Sequence, residues 1–173
     1  RELPFFKVSD DLTIAAFIIF GDVELTECCA RELLKRAPEY DIMITAEAKS
    51  IPLIYEMAKQ AGRNNYVVAR KKPKVYMKNL ISVTVNSITT KGEQNLYLGE
   101  DDINLIKGKK VLIVDDVIST GESLEALEKL VTKAGGNIVG KMAVLAEGDA
   151  MDRGDIIALE KLPLFDGDGN ILE

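Results

Sequence analysis

The sequence predicts a single α/β domain built on a mostly parallel, open sheet flanked by helices. Three observations lead there. Short apolar runs bounded by turn residues alternate along the chain with stretches of helical period, the pattern of successive strand–helix units. The 173 residues contain no repeat, low-complexity tract or linker that would divide them, and this length suits one domain. The composition, 47% hydrophobic and 29% charged with a formal net charge of -6, is that of a soluble acidic globular protein able to bury a core.

Taken in order, "VELTECCARELLKRA" at 23–37 places Leu25, Cys28, Cys29, Leu33 and Ala37 at helical spacing, and Pro38 stops the run. "DIMIT" at 41–45 is a short apolar strand. It passes through "AEAKS" into "IPLIYEMAKQAG", a helix framed by Pro52 near its start and Gly62 beyond its end. "NYVVAR" at 65–70 is the next buried strand, and it empties into a basic run of Arg70, Lys71, Lys72 and Lys74. "LISVTVNSI" and "EQNLYLG" flank the polar tip "TTKG", so a long hairpin with a mobile tip is expected. "KKVLIVDD" is a buried strand, "GESLEALEKLVTKAGG" a helix closed by Gly135 and Gly136, and "NIVGKMAVLAE" another strand. From Gly148 onward the pattern is mixed.

Composition also excludes whole classes of chemistry. With no histidine in the chain, Ser-His-Asp and Cys-His catalysis and the usual zinc constellations are removed together. What remains is carboxylates, hydroxyls, Lys, Arg and backbone dipoles, which favours phosphate and sugar chemistry over acyl transfer. The acidic balance argues against nucleic acid as the main partner. The longest apolar stretch, "IAAFIIF" from Ile14 to Phe20, is far short of the roughly 20 residues that span a bilayer and lacks the basic lead-in of a signal peptide, so it reads as core and no membrane is expected. Cys28 and Cys29 are adjacent in a helical segment, where they cannot easily bridge each other, and a reducing cytoplasm is the expected compartment. Because the chain opens on Arg1 rather than Met, a few initial residues are expected to be missing or processed.

The chemistry concentrates in "VLIVDDVISTGES", residues 111–123. In an open parallel sheet ligands bind beyond the carboxyl ends of the strands, which puts Asp115 and Asp116 at that rim. Two adjacent carboxylates repel, and burying them without partners is costly; the two hydroxyls of a sugar diol would supply donors to both. Ser119, Thr120, Gly121, Glu122 and Ser123 then wrap the start of a helix, where unpaired N–H groups and the helix dipole attract an anion and Gly121 lets the backbone come close. A diol site followed directly by an anion cradle suits a ribose 5-phosphate.

This stretch resembles the 5-phosphoribosyl 1-pyrophosphate (PRPP) motif of type I phosphoribosyltransferases, and the order of the other elements is similar to the purine members over most of the chain. The resemblance implies that Asp115 and Asp116 hold the ribose hydroxyls and that Val117, Ile118, Ser119, Thr120, Gly121, Glu122 and Ser123 form the ribose and 5-phosphate loop. "AEAKS" resembles the family's first pyrophosphate loop, implying Glu47, Ala48, Lys49 and Ser50 there. Arg70, Lys71, Lys72 and Lys74 resemble its basic stretch. Residues 77–95 correspond to a flexible hood loop whose closure keeps water from a sugar cation, with Glu93 the candidate for proton handling. Lys49 joins Asp115, Asp116 and Glu93 as a catalytic candidate. A small hood over the base is expected from roughly 1–22 and 148–173 of one phosphoribosyltransferase domain spanning 1–173. Magnesium would be held through the substrate rather than by a protein cage, and a homodimer is implied.

Other motifs fail on inspection. "VLIVDD" also opens response-regulator receivers, but too little chain follows it. "GGNIVGK" matches a phosphate-loop pattern, yet Met142 stands where a magnesium-binding hydroxyl is needed. "DGDGN" suggests a calcium loop, but Ile171 occupies the glycine position. A PRPP-binding regulator without catalysis, or an orotate or xanthine phosphoribosyltransferase, are the alternative functions. Among bases adenine is favoured. 6-Oxopurine members place a Lys near the start of the late loop, where this chain has Glu147 and Gly148, and a missing donor would leave the oxo group unpaired.

Overall fold

The computed structural model describes residues 1–87 and 92–172, with the side chains of 85–94 outside that description. A short antiparallel pair opens the chain, β1 (Phe5–Lys7) on β2 (Thr13–Ala15). Helix α1 (Val23–Arg36) begins where the Asp22 carboxylate accepts the Leu25 N–H at 3.0 Å and ends with Lys35 and Arg36 against its negative pole, one residue before Ala37 and Pro38. Then come β3 (Ile42–Ala46), α2 (Ile51–Gln60) with Pro52 in its first turn, and β4 (Val67–Ala69). The expected hairpin is β5 (Ile81–Ser87) paired antiparallel with β6 (Gly92–Leu98); its tip lies outside the described residues. A short α3 (Glu100–Ile106) precedes β7 (Lys110–Ile118), α4 (Glu122–Lys133), β8 (Asn137–Glu147), a 3-10 turn at Gly148–Asp152 and β9 (Ile157–Leu162).

Five strands form one wholly parallel sheet in the order β4-β3-β7-β8-β9. Alternation along the central strands sends neighbours to opposite faces. Ile42, Ile44, Val111 and Ile113 meet Leu124, Leu127, Leu130 and Val131 of α4, with Leu96 and Leu98 of the hairpin on the same side. Met43, Leu112, Val114 and Met142 meet Ala30 and Leu33 of α1 and Leu53, Ile54 and Met57 of α2. Both faces are therefore covered, as a parallel sheet requires, and each fully buried Leu or Ile contributes roughly 1.5–3 kcal/mol. Gly136 is needed where α4 turns into β8, since a Cβ there would lie 2.6 Å from Ile106 Cγ2 and 2.9 Å from Val111 and Val131 methyls.

Four expectations change. The run Ile14 to Phe20 is core only in part: Ala15 and Ile19 are buried and Phe17 packs on the core, but Ile18 and Phe20 are exposed. Within α1, Cys29 is buried and Cys28 faces solvent. The segment 148–173, expected as hood, is divided, since Ile157–Leu162 pairs in parallel with β8 as an edge strand of the core sheet. The N-terminal hairpin does meet the chain beyond β9, through the Thr13 and Phe165 bridge and the packing of the Phe5 and Phe165 rings, with centroids 4.6 Å apart. Finally, β7 runs on to Ile118, so Asp115 and Asp116 sit within it rather than as its last two residues. Its pairing with β3 stops at Ile113, while pairing with β8 continues to Ile118, and this one-sided extension opens a step in which the aspartates lie.

Candidate active site

Three loops leave the carboxyl ends of adjacent strands: Glu47–Ser50 after β3, Arg70–Lys74 after β4, and Ser119–Ser123 after β7. Ser50 joins the first to the third. Its buried hydroxyl lies 2.5 Å from Asp115 Oδ1 and 3.1 Å from Asp116 Oδ1, and it accepts the Asp116 N–H at 2.9 Å. Asp115 Oδ1 accepts that same N–H at 2.9 Å. One hydroxyl proton cannot satisfy two carboxylates, and the shorter contact takes it. Burial first, then the charge of Asp116, pushes the Asp115 carboxyl up to about 7. Asp116 is 1% exposed, and its Oδ2 has no hydrogen-bond partner among the described residues. The exposed Lys49 ammonium stands 3.4 Å from that oxygen, an ion-pair contact that leaves its lone pairs open. Asp116 Oδ2 is thus a buried acceptor that lacks a hydrogen-bond donor among the described residues.

Electrostatics link the other two loops. Glu47 receives Arg70 Nη1–H at 3.1 Å and the Lys71 N–H at 3.0 Å, and the Lys71 amide leads, with Lys74 and Arg70, in holding its carboxyl below the usual range. Arg70 is also fixed by a backbone bridge to Tyr97 of the hairpin and donates to Tyr76 Oη at 3.2 Å. The basic run is thereby anchored beside the Glu47 loop, with Lys71 and Lys72 exposed to solvent.

At the third loop Gly121 adopts φ +82°, a conformation other residues resist, and α4 begins at Glu122. No side chain caps α4 among the described residues, so the loop is not an ordinary Ser or Thr cap. A small cavity lies against its backbone, lined by residues 117–124 with Asp115 at one edge.

A family model described as "Phosphoribosyl transferase domain" matches residues 29–159. The chain belongs to that phosphoribosyltransferase family. Among relatives, the adenine phosphoribosyltransferase of Thermotoga maritima is 39% identical over 109 residues, covering 63% of this chain and 59% of the relative. The hypoxanthine/guanine phosphoribosyltransferase of Methanococcus voltae is 33% identical over 135 residues, covering 78% and 68%. The chain thus spans about three fifths of the length of the adenine-type relatives from Thermotoga. Among solved structures, adenine phosphoribosyltransferase from Saccharomyces cerevisiae superposes with a TM-score of 0.71 at 20% identity, over 92% of this chain and 93% of that one. The enzyme from Thermoanaerobacter pseudethanolicus gives 0.70 at 24%, over 83% and 84%. At these identities the structures establish the shared fold.

In this phosphoribosyltransferase-family domain the structure gathers most of the residues singled out in the sequence: Asp115, Asp116, Lys49, Ser50, Glu47, Arg70 and the Ser119–Ser123 loop lie on one rim of the sheet. The Glu93 side chain lies outside the described residues. Ser50, in the loop expected to bind pyrophosphate, turns its hydroxyl inward to the aspartates. Glu147, at the end of β8, has its carboxyl pushed up by burial, an effect the charge of Lys49 partly offsets. Arg153 was missed. Its Nη1 would be 3.0 Å from a Cβ on Gly121, and the only sequence signal is a lone Arg in the turn after the strand beside β7.

Proposed function

We propose that this protein is a purine phosphoribosyltransferase. It transfers the 5-phosphoribosyl group of PRPP to a ring nitrogen of a purine base, adenine favoured, giving a nucleoside monophosphate and pyrophosphate. The observation that carries the reading is the pairing, on one extended strand end, of a buried aspartate whose Oδ2 lacks a hydrogen-bond donor among the described residues and a backbone loop without a side-chain cap a few residues further on. Hypoxanthine/guanine-type and adenine-type relatives both act on purines by name, and β8 ends here in Glu147 and Gly148, without a lysine to donate to a 6-oxo group.

In this reading Asp115 and Asp116 accept the ribose hydroxyls, and backbone N–H groups of 119–123 hold the 5-phosphate. Lys49, Arg70, Lys71, Lys72 and Lys74 face the departing diphosphate, with Ala48 and Ser50 offering backbone rather than side chain. The C1–oxygen bond breaks as the C1–nitrogen bond forms, the diphosphate leaves with the electron pair, and the nitrogen's proton passes to a carboxylate or water, for which Glu93 is the candidate. Catalysis is then mainly positioning and charge stabilisation. No cluster of three metal-ligating side chains occurs among the described residues, while the aspartates and Ser50 are hard oxygen donors suited to an ion that arrives with the diphosphate. Magnesium, when bound, would neutralise charge on the leaving group. No helix among the described residues is long and apolar enough to cross a membrane. A cytoplasmic homodimer completes the proposal, checked by molecular mass in solution.

The test is pyrophosphate release from PRPP and magnesium with adenine, hypoxanthine, guanine, xanthine, uracil or orotate in turn. Turnover with adenine, lost in Asp115→Asn with Asp116→Asn, is the expected result. Turnover with a 6-oxopurine alone overturns the adenine assignment, and PRPP binding without consumption of any base overturns catalysis in favour of a regulator.

A further inference from the structure

A phosphate monoester entering the β7–α4 loop meets a cradle whose own residues supply no positive side chain: from Asp115 to Leu124 the chain carries three acids and no Lys or Arg. The cation that the fold sets against this loop comes from elsewhere. Arg153 lies in the turn between β8 and β9, and its Nη1 reaches to 3.0 Å from where a Gly121 Cβ would stand. A Cβ at residue 121 would press on it, and the guanidinium would have to give by a few tenths of an ångström. The guanidinium is aimed rather than loose. Its Nε donates to Asp155 Oδ1 at 3.0 Å and its Nη2 to Asp155 Oδ2 at 2.8 Å, a two-point fork that fixes the plane and leaves the Nη1 edge toward the loop. Asp155 is itself held by Lys141 at 2.7 Å, and Lys141 also pairs with Glu128 on α4, so the fork is tied to the same helix whose N-terminus forms the cradle.

We propose that Arg153 is a binding residue for the 5-phosphate, supplying across Gly121 the charge that the loop lacks, with Asp155 as the residue that positions it. The inference rests on the PRPP reading above and extends it to a residue outside the motif.

The experiment measures ribose 5-phosphate and inorganic pyrophosphate separately, as ligands by calorimetry and as competitors of PRPP. Arg153→Gln should weaken ribose 5-phosphate by about 10-fold or more, the scale of a charge-assisted contact, while pyrophosphate changes by less than about 2-fold. Asp155→Asn should give a smaller loss confined to the same ligand, and Arg153→Lys should recover part of it. Unchanged ribose 5-phosphate affinity in Arg153→Gln overturns the proposal, as does equal weakening of both ligands, which would mark a general structural brace. If Arg153→Gln does not fold, Arg153→Lys reads the same ratio. Failure of the wild-type protein to bind ribose 5-phosphate at all would instead overturn the PRPP reading.

Discussion

The Ser50 hydroxyl lies 2.5 Å from Asp115 Oδ1 and, through the Asp116 N–H it accepts at 2.9 Å, closes the β3 loop onto the β7 strand. Two carboxylates are thereby held together before any ligand arrives. Ser50→Ala removes the bridging proton and leaves like charges facing each other in a buried place. We expect a loss of about 1–3 kcal/mol in urea unfolding and weaker PRPP binding, with Ser50→Thr retaining part of both.

Asp115 gives a prediction of opposite sign for stability and function. Its folded pKa is raised to about 7 from an ordinary 3.8, so its contribution to stability is fully present below the unfolded value and is lost as pH rises through the folded one. The free protein should therefore melt at lower temperature at pH 8 than at pH 6. Asp115→Asn keeps the acceptor used by Ser50 and Asp116 but carries no charge, and should raise the melting temperature at pH 8 by about 2–4 °C for each kcal/mol relieved, while turnover falls. A variant no more stable at pH 8 would mean that the repulsion is already neutralised by Lys49.

Glu47 organises the basic run by receiving both Arg70 and the Lys71 amide. Glu47→Ala releases them, and although it removes a negative charge, the loss of order should dominate. Pyrophosphate inhibition is expected to weaken by about 5- to 10-fold, with ribose 5-phosphate affinity unchanged.

Gly121→Ala should be costly at the donor site. At φ +82° an L-residue is strained by about 1–2 kcal/mol, and the new methyl would press on Arg153. The KM for PRPP should rise more than kcat falls, measured at saturating base.

Much of this was legible in the sequence where pattern and chemistry coincide. The β7 run and its acidic pair, the α4 helix closed by Gly135 and Gly136, and the β5–β6 hairpin are each long and periodic, so local propensity and tertiary packing agree on them. The short α3 was not legible, because seven residues with Ile103 and Ile106 hold too little of a helical period to announce itself. Nor was β9: "IALEKL" exposes Glu160 and Lys161, as an edge strand can, and only pairing with β8 makes it part of the sheet. The contact of the Ser50 hydroxyl with the aspartates was not legible either, since the register between β3 and β7 that turns it inward is a long-range relation. Arg153 depends on the same kind of relation, a turn after one strand meeting the loop after its neighbour.

The central strand β7 carries core side chains at one end and the aspartate pair at the other, within a single run of nine residues. Its inner amides, bonded to strands on both sides, should exchange hydrogen for deuterium only when the whole sheet opens. The acidic pair lies past that stretch, where β7 is bonded to β8 alone, so it can open locally while the inner part of the strand stays closed. A ligand held by the pair would slow exchange at the strand end by suppressing that local opening and, because it binds only the folded chain, in the domain interior as well, so the two rates separate local protection from global stability.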